Sequence, residues 1–350
     1  MSMRIRLADN ADQSSWDAYV LRHPQGLAYQ MYAWKKAVEQ AYGFRGAYLL
    51  AEEQGVVCGV LPLIHLKAPF LGGGRFVSLP YCDAGGVIAD DPVIGNALVT
   101  SAEALTREKH VRGIELRQSS PLNATLPRYR LHTGKVRMVL VLPGDSDRLL
   151  AGLKSKLRSQ LKKPLRDGLT VRLGGADLVD EFYQIFAENM RDLGSPVHSK
   201  GWLQAVVGHF GERARIGVVY TPEGFPVAAG VILLHPRTVS VPWASSLRRF
   251  NRLNPNMLLY WSFLAFAADG GFAQFDFGRS TPAEGSYRFK EQWGAEPFPL
   301  YWEDRLRRDE KKKYGFLGGA GRKSAEAIWS RLPLQATKAI GPMLRRHISL

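Results

Sequence analysis

The densest group of reactive side chains lies in FDFGRSTPAEGSYRFKEQWGAEP, residues 275–297. Arg279, Glu284, Tyr287, Arg288, Lys290 and Trp293 follow one another closely, punctuated by Gly278, Pro282, Gly285 and Gly294. A plain connection between elements is shorter and blander than this. Arg279 and Arg288 have the paired N–H donors that hold phosphate or carboxylate. Glu284 is a proton acceptor, Lys290 a cation, and Tyr287 and Trp293 can wall a cleft. The competing reading is a surface loop of salt-bridged charges, but sites gather on loops that follow strands.

A second candidate stretch is WASSLRRFNRLNPNML, residues 243–258. Asn254 and Asn256 flank Pro255 at the start of an apolar helix, so Asn254 can cap that helix and leave its N-terminus facing an anionic group. Capping alone is the alternative. Trp243 and Ser245 open the same stretch and are grouped with the two asparagines as substrate contacts. The common chemical signatures are absent: there is no GxxxxGK[ST], HExxH or GxSxG, and no cysteine-rich metal spacing. No metal site and no resident cofactor is expected. Gly72–Gly74 reads as a turn, and His65, His198 and His235 read as structural. Cys82 lacks the basic neighbour that activates a thiol. Cys58 and Cys82 make no disulfide framework and point to a reducing compartment.

The elements that position these residues show in hydrophobic periodicity. Helices are expected over 30–43, ending at Gly43, and over 96–110. Strands are expected over 47–66 around a Gln54-Gly55 turn, over 75–80 and over 113–118. The second half repeats that order. Helices at 180–193 and 201–211 precede strands at 214–221, 226–235 and 238–245, then a helix at 257–270 and a strand at 272–278. The repeat is one of pattern, with negligible identity, and argues for two mixed α/β lobes with sheets flanked by helices. Helix, three-strand meander, helix, strand is also the order of the N-acetyltransferase (GNAT-type) fold. Between the lobes, leucines at 150, 153, 157, 161 and 165 mark an amphipathic helix that Pro164 is expected to kink or split. The tail reads as helical around 324–332, interrupted by Pro333 and Pro342. The expected division is 1–145, 146–303 with a basic helical linker at 146–175, and a basic tail at 304–350.

The chain has 350 residues, 45% of them hydrophobic, and a formal net charge of +15. That charge is concentrated. Residues 305–350 hold twelve Lys/Arg against three Asp/Glu, and residues 154–172 hold seven against one. Such segments suit a polyanion or an anionic surface, or are simply solvated faces. No apolar signal region opens the chain and no run is long enough to span a bilayer. A cytoplasmic protein is expected, with peripheral contact at the inner face of the membrane through the basic tail and with no role in binding DNA.

Acetyl-CoA users of the GNAT fold carry a Q/R-x-x-G-x-G/A turn ahead of the long helix, whose N–H groups bind pyrophosphate. Residues 244–256 and 80–92 occupy that slot in the two halves and neither fits. Taken together, QMYAWKKAVE (30–39), PYCDAGGVIAD (80–90), ENMRDLGSPVHSKGWLQAVVGHF (188–210) and the two stretches above resemble the FemAB family. More narrowly, they resemble the FemAB-related proteins of exosortase/PEP-CTERM and exopolysaccharide clusters. The resemblance covers about residues 10–303. It implies two tandem GNAT-like lobes and transfer of an acyl or aminoacyl group to an amine, from acyl-CoA or aminoacyl-tRNA as co-substrate. The acceptor would be an amino sugar or a peptide of envelope or exopolysaccharide synthesis. It makes Lys290 functional, beside the oxyanion or the donor phosphate. It also points to Asp90 in the acceptor lobe and to Lys36, or equally Lys35, on a nucleotide phosphate. Asp83-Ala84-Gly85-Gly86 replaces the family's Arg-Gly-Pro, and Lys200 and Trp202 stand where an arginine and a tyrosine are usual. The rival reading is a non-catalytic protein of this fold that docks on a membrane surface or an anionic polymer, its tail contributing Ile328, Trp329 and Leu332 beside Arg331 and Lys338.

Overall fold

The computed structural model describes residues 3–67, 74–121, 130–306 and 319–349. Its chain falls into two compact units, one of 1–137, 298–314 and 347–350, the other of 138–297 and 315–346. The first half contributes β1 (Arg4–Leu7), α1 (Gln13–Arg22), α2 (Tyr32–Tyr42), β2 (Leu49–Glu53), β3 (Val56–Leu61), β4 (Ile64–Leu66), β5 (Arg75–Val77), β6 (Ile88–Ala89), α3 (Pro92–Glu108), β7 (Gly113–Gln118) and β8 (Arg130–His132). Then follow β9 (Val136–Val141), α4 (Ser146–Gly152), α5 (Ser155–Arg166), β10 (Thr170–Gly174), α6 (Val179–Asp192), α7 (Lys200–Phe210), β11 (Ala214–Tyr220), β12 (Pro226–Leu234) and β13 (Thr238–Ser246). The last elements are α8 (Pro255–Asp269), β14 (Gln274–Ser280), α9 (Gly285–Glu291), β15 (Glu296–Pro299), β16 (Tyr301–Leu306), α10 (Gly319–Trp329) and α11 (Leu334–Arg345).

The mixed α/β reading holds, and most expected elements fall within a few residues of their observed bounds. Gly43 ends α2 in the left-handed conformation that a helix C-terminus favours. Gln54 and Gly55 both take positive φ, as a tight hairpin turn with the right twist demands. Of the expected glycine turn at 72–74, only Gly74 lies within the described residues, with φ +56.

In the first unit the strands form two sheets, β1-β2-β3-β6 and β4-β5-β7-β16-β8. Pro62 lies between β3 and β4, and a residue without an N–H cannot continue the ladder. The chain therefore leaves one sheet at Leu61 and enters the other at Ile64. α3, capped by Asp91 through the Val93 and Ile94 amides, places Ile94, Leu98, Val99, Ala102 and Leu105 against apolar residues of both sheets.

The second unit has one seven-stranded sheet, β10-β11-β12-β13-β14-β9-β15. β10 to β13 run antiparallel, whereas β13 and β14 pair in parallel. α8 is apolar on nearly every side and is buried along its length. Its Phe263 lies on Gly217 and Gly230, which face each other across β11 and β12. A Cβ on either glycine would come within 2.6 or 2.8 Å of the ring. Full burial of such a ring contributes roughly 2–3 kcal/mol, which two side chains under it would forfeit.

The structure differs from the sequence division in three respects. Residues 301–303 do not close the second lobe and 304–306 do not begin a tail, because β16 pairs antiparallel with β7 along six residues and so belongs to the first unit. Residues 315–346 group with the second unit. The linker helix breaks at Leu153, whose ψ of 144 is extended, and not at Pro164, which sits inside α5. Leu153, Leu157 and Leu161 are buried, so the break keeps the middle of the leucine stripe inward, while Leu165 is exposed. Pro342 likewise sits inside α11 without ending it, while Pro333 occupies the residue before that helix.

Candidate active site on the second unit

β13 and β14 are in register at Thr238–Gln274, Val239–Phe275 and Ser240–Asp276, and there the pairing ends although both strands continue. Pro242 follows two residues later and cannot donate across that edge. Beyond Ser240, β13 keeps β12 on one side and has no strand on the other among the described residues. Backbone polar groups left on such an edge must find another partner, and a polar substrate is one.

The end of β14 is fixed from below. Asp276 Oδ1 accepts from the Gly278 amide at 2.8 Å, and Gly278 has φ +75, which favours glycine. After the turn, α9 carries Lys290 back to the strand. Its Nζ, in a side chain only 7% exposed, donates to the Gly278 carbonyl at 3.1 Å and the Arg279 carbonyl at 2.8 Å. Phe277 stacks on Tyr260, and Phe289 meets both Tyr260 and Trp293 edge-on, at 5.0 and 6.3 Å. Burial raises the Tyr260 hydroxyl far out of the physiological range. Trp293 is therefore part of this aromatic base, 2% exposed, and not a cleft wall. Four residues after Phe289, it shares the inward face of its turn. Glu284 and Arg288 are exposed, and Tyr287 and Arg279 are half-buried.

Trp243 and Ser245 alternate along β13 on the face that meets α6 and α7. Trp243 lies 6.2 Å from the rings of both His198 and Trp202, and Ser245 Oγ accepts from Asn189 Nδ2 of α6 at 3.0 Å. His198 is structural, as expected. It is buried and held neutral by burial and by Arg345, whose Nε donates to its Nε2 at 3.1 Å. Asn254 precedes α8 in a left-handed conformation and makes no side-chain cap. Pro255 instead starts the helix, and the Asn254 carbonyl accepts from the Met257 amide at 3.0 Å. The capping expectation thus gives way to a backbone role. Asn256 is half-buried.

A cavity of about 300 Å³ opens on the same unit, lined by Gln184, Ile185, Phe225, Pro226, Leu247, Arg249 and Phe250. Its walls are apolar, and Arg249 is ion-paired with Glu188 of α6 and lies 5.2 Å over the Phe250 ring. None of these residues was singled out from sequence. Glu188 and Asn189 open one of the stretches quoted above and Arg249 lies in another, but only the pairing of α6 with the end of β13 brings them together.

The remaining expected site residues belong to the first unit. Asp90 follows β6, exposed, with Oδ1 accepting from the Tyr19 hydroxyl at 2.9 Å. Lys36 donates to Gln13 Oε1 at 2.5 Å, and buried Lys35 pairs with Glu39 and faces the Tyr32 ring. Cys82 is no nucleophile: burial drives its thiol pKa up, and its Sγ faces the Leu79 carbonyl at 3.3 Å.

Residues 152–291 match the family described as an acetyltransferase (GNAT) domain, and this span contains α5 through α9. FemX shares the fold at TM-score 0.69 and 15% identity, over 87% of this chain and 97% of its own. The C-terminal domain of a putative lysylphosphatidylglycerol synthetase from Agrobacterium fabrum does so at TM-score 0.59 and 14% identity, over 92% and 96%. A tandem GNAT protein from the clavulanic acid biosynthesis pathway aligns at TM-score 0.53 and 13% identity, over 87% and 98%. Comparison with curated protein sequences gives no match. The fold is that of tandem GNAT proteins.

Proposed function

We propose that the protein is an N-acyltransferase whose chemistry takes place on the second unit. The observation that carries this is the parallel pair β13–β14, which separates after Ser240 and Asp276 inside the segment that matches the GNAT family. In the reaction an amine nitrogen attacks the acyl carbonyl. The bond from that carbon to the donor's sulfur or ester oxygen breaks. One amine proton passes to a base and the leaving group takes up a proton. Edge N–H groups of β13 receive the oxyanion, and Glu284 is the proton acceptor we favour. Lys290 acts as a positioning residue, since its cation holds the carbonyls that shape the end of β14. Arg279, Arg288 and Tyr287 line the approach, and the apolar cavity beside Arg249 suits the acyl part of a donor that bears phosphate.

The finer reading is aminoacyl or acyl transfer to an amino sugar or peptide amine in envelope or exopolysaccharide synthesis, with Asp90 and Lys36 on the acceptor side. Its support is the FemAB resemblance of the sequence motifs together with the fold shared with FemX and with a lysylphosphatidylglycerol synthetase domain.

Titration of the full chain with acetyl-CoA, charged tRNA and uncharged tRNA at two salt concentrations tests the donor. Preference for charged over uncharged tRNA selects aminoacyl transfer, and saturable CoA binding selects a thioester donor. Absence of both overturns the enzyme reading and leaves the binding-protein alternative. For the site, Lys290→Ala should lower kcat at least tenfold with KM little changed, Lys290→Arg restoring part of it. Stability should fall by about 1–3 kcal/mol for the two carbonyls left unpaired. Full activity in Lys290→Ala would remove the assigned role.

A further inference from the structure

α11 is amphipathic in the reverse sense to a helix packed on a core. It lies against α6. The face it turns inward holds Thr337 and Gly341, with Gly341 so close to Val197 that a Cβ would stand 3.1 Å from its amide nitrogen. The same side carries two cations. Lys338 Nζ lies 5.3 Å from the Tyr183 ring centre, and Arg345 bonds His198. The outward face holds Ala336, Ala339, Ile340, Met343 and Leu344, the i, i+3, i+4, i+7 spacing of one helical stripe. Ile340 is 46% exposed, Met343 68% and Leu344 46%. A surface helix of a globular unit normally buries its apolar stripe and shows its charges. Ile328, on α10, is 65% exposed as well.

The charge of the segment that carries this stripe is almost all of one sign. Residues 319–349 hold six Lys/Arg and one acidic residue, Glu326. An exposed apolar stripe on a segment of net positive charge, with Lys323 and Arg331 exposed, is the composition of a helix lying in the plane of a membrane interface. The same excess of positive charge opposes pairing of this face with a second copy of itself. No helix of the described residues can cross a bilayer, so contact at the surface is the mode this segment supports.

We propose that the outward face of α11 docks on an anionic lipid bilayer through Ile340, Met343 and Leu344. The inference does not depend on the acyl-transfer reading, since vesicle binding is measured without turnover. The test is cosedimentation of the full chain with phosphatidylcholine vesicles, with and without phosphatidylglycerol, near physiological salt. The chain should pellet with the anionic vesicles and not with the neutral ones. Ile340→Glu/Met343→Glu, both at exposed positions, should bind at least tenfold more weakly with an unchanged Tm. Lys323→Gln and Arg331→Gln should each weaken binding about fivefold. A wild-type chain that stays in the supernatant, or a double variant that pellets as well as wild type, overturns the proposal. So does a wild-type dimer that the double variant converts to monomer.

Discussion

Each unit contains a parallel strand pair with a short register, and the two treat the region beyond it differently. In the first, β5 and β7 pair at Phe76–Ile114 and Val77–Glu115, and the chain itself then fills the gap. Leu79 and Tyr81 take positive φ, and the Gly85 and Gly86 amides both donate to the Arg117 carbonyl. The Arg117 guanidinium bonds the Cys82 carbonyl at 2.6 Å and Glu115 at 2.7 Å, and stacks 4.7 Å from Trp302. In the second unit Pro242 follows the point where β13 and β14 part, and Lys290 from α9 bonds the Gly278 and Arg279 carbonyls at the end of β14. One element order thus gives one unit with a plugged opening built on a buried ion pair and another with an open edge on an aromatic base. The PYCDAGG stretch, where Asp83-Ala84-Gly85-Gly86 departs from the FemAB pattern, is the plug.

The largest test of that contrast is to pull the plug. Arg117→Met should destabilise the chain by about 2–4 kcal/mol in urea unfolding, because buried Glu115 would keep Arg75 but lose the buried one of its two arginines, and the Cys82 carbonyl would lose its donor. A cost under about 1 kcal/mol would mean that the ion pair does not hold the first unit. The counterpart in the second unit is steric. Gly217→Val would drive a side chain into Phe263 and should cost about 1–3 kcal/mol. Any loss of activity beyond that explained by unfolding would show that the sheet under α8 also sets the open edge.

The remaining contrast is in pH dependence, where the units should differ in sign. Buried Asp304 of the first unit, beside Glu115, has its pKa pushed up from 3.8 to about 6. Between those values the folded chain keeps a proton that the unfolded chain has released, so stability falls as pH rises through that window and is level above it. Buried His198 of the second unit has its pKa lowered well below 6.5. There the unfolded chain takes up a proton that the folded chain excludes, so stability falls as pH drops below 6.5. Asp304→Asn should remove the first slope and His198→Gln, which keeps an acceptor for Arg345, the second. Tm measured against pH in the two variants checks both.

Local signals carried much of this architecture. The apolar runs of β11, β12 and β13, the periodicity of α6 and α8, and the Gln54-Gly55 turn each state their conformation within a dozen residues. What stayed hidden depends on distant partners. Nothing near Tyr301–Leu306 marks it as a strand for β7, and Pro62 gives no hint that the residues on either side serve different sheets. Lys290 was legible as a functional candidate, but its two carbonyl partners required the turn at Gly278. Trp293 looked available because its burial comes from Phe289 and Tyr260. The outward stripe of α11 escaped because only docking against α6 says which face is free.

The place of β16 has a consequence for synthesis. Residues 301–306 leave the ribosome after the whole of the second unit's sheet, yet they cover one side of β7 and one side of β8 in the first. Until then the first unit waits with bare strand edges, which invite pairing with other chains. The sheet β4-β5-β7-β16-β8, begun first, is therefore completed after the seven-stranded sheet. Expression of residues 1–297 alone should yield aggregates, and supplying 298–306 in the same tube should reduce them.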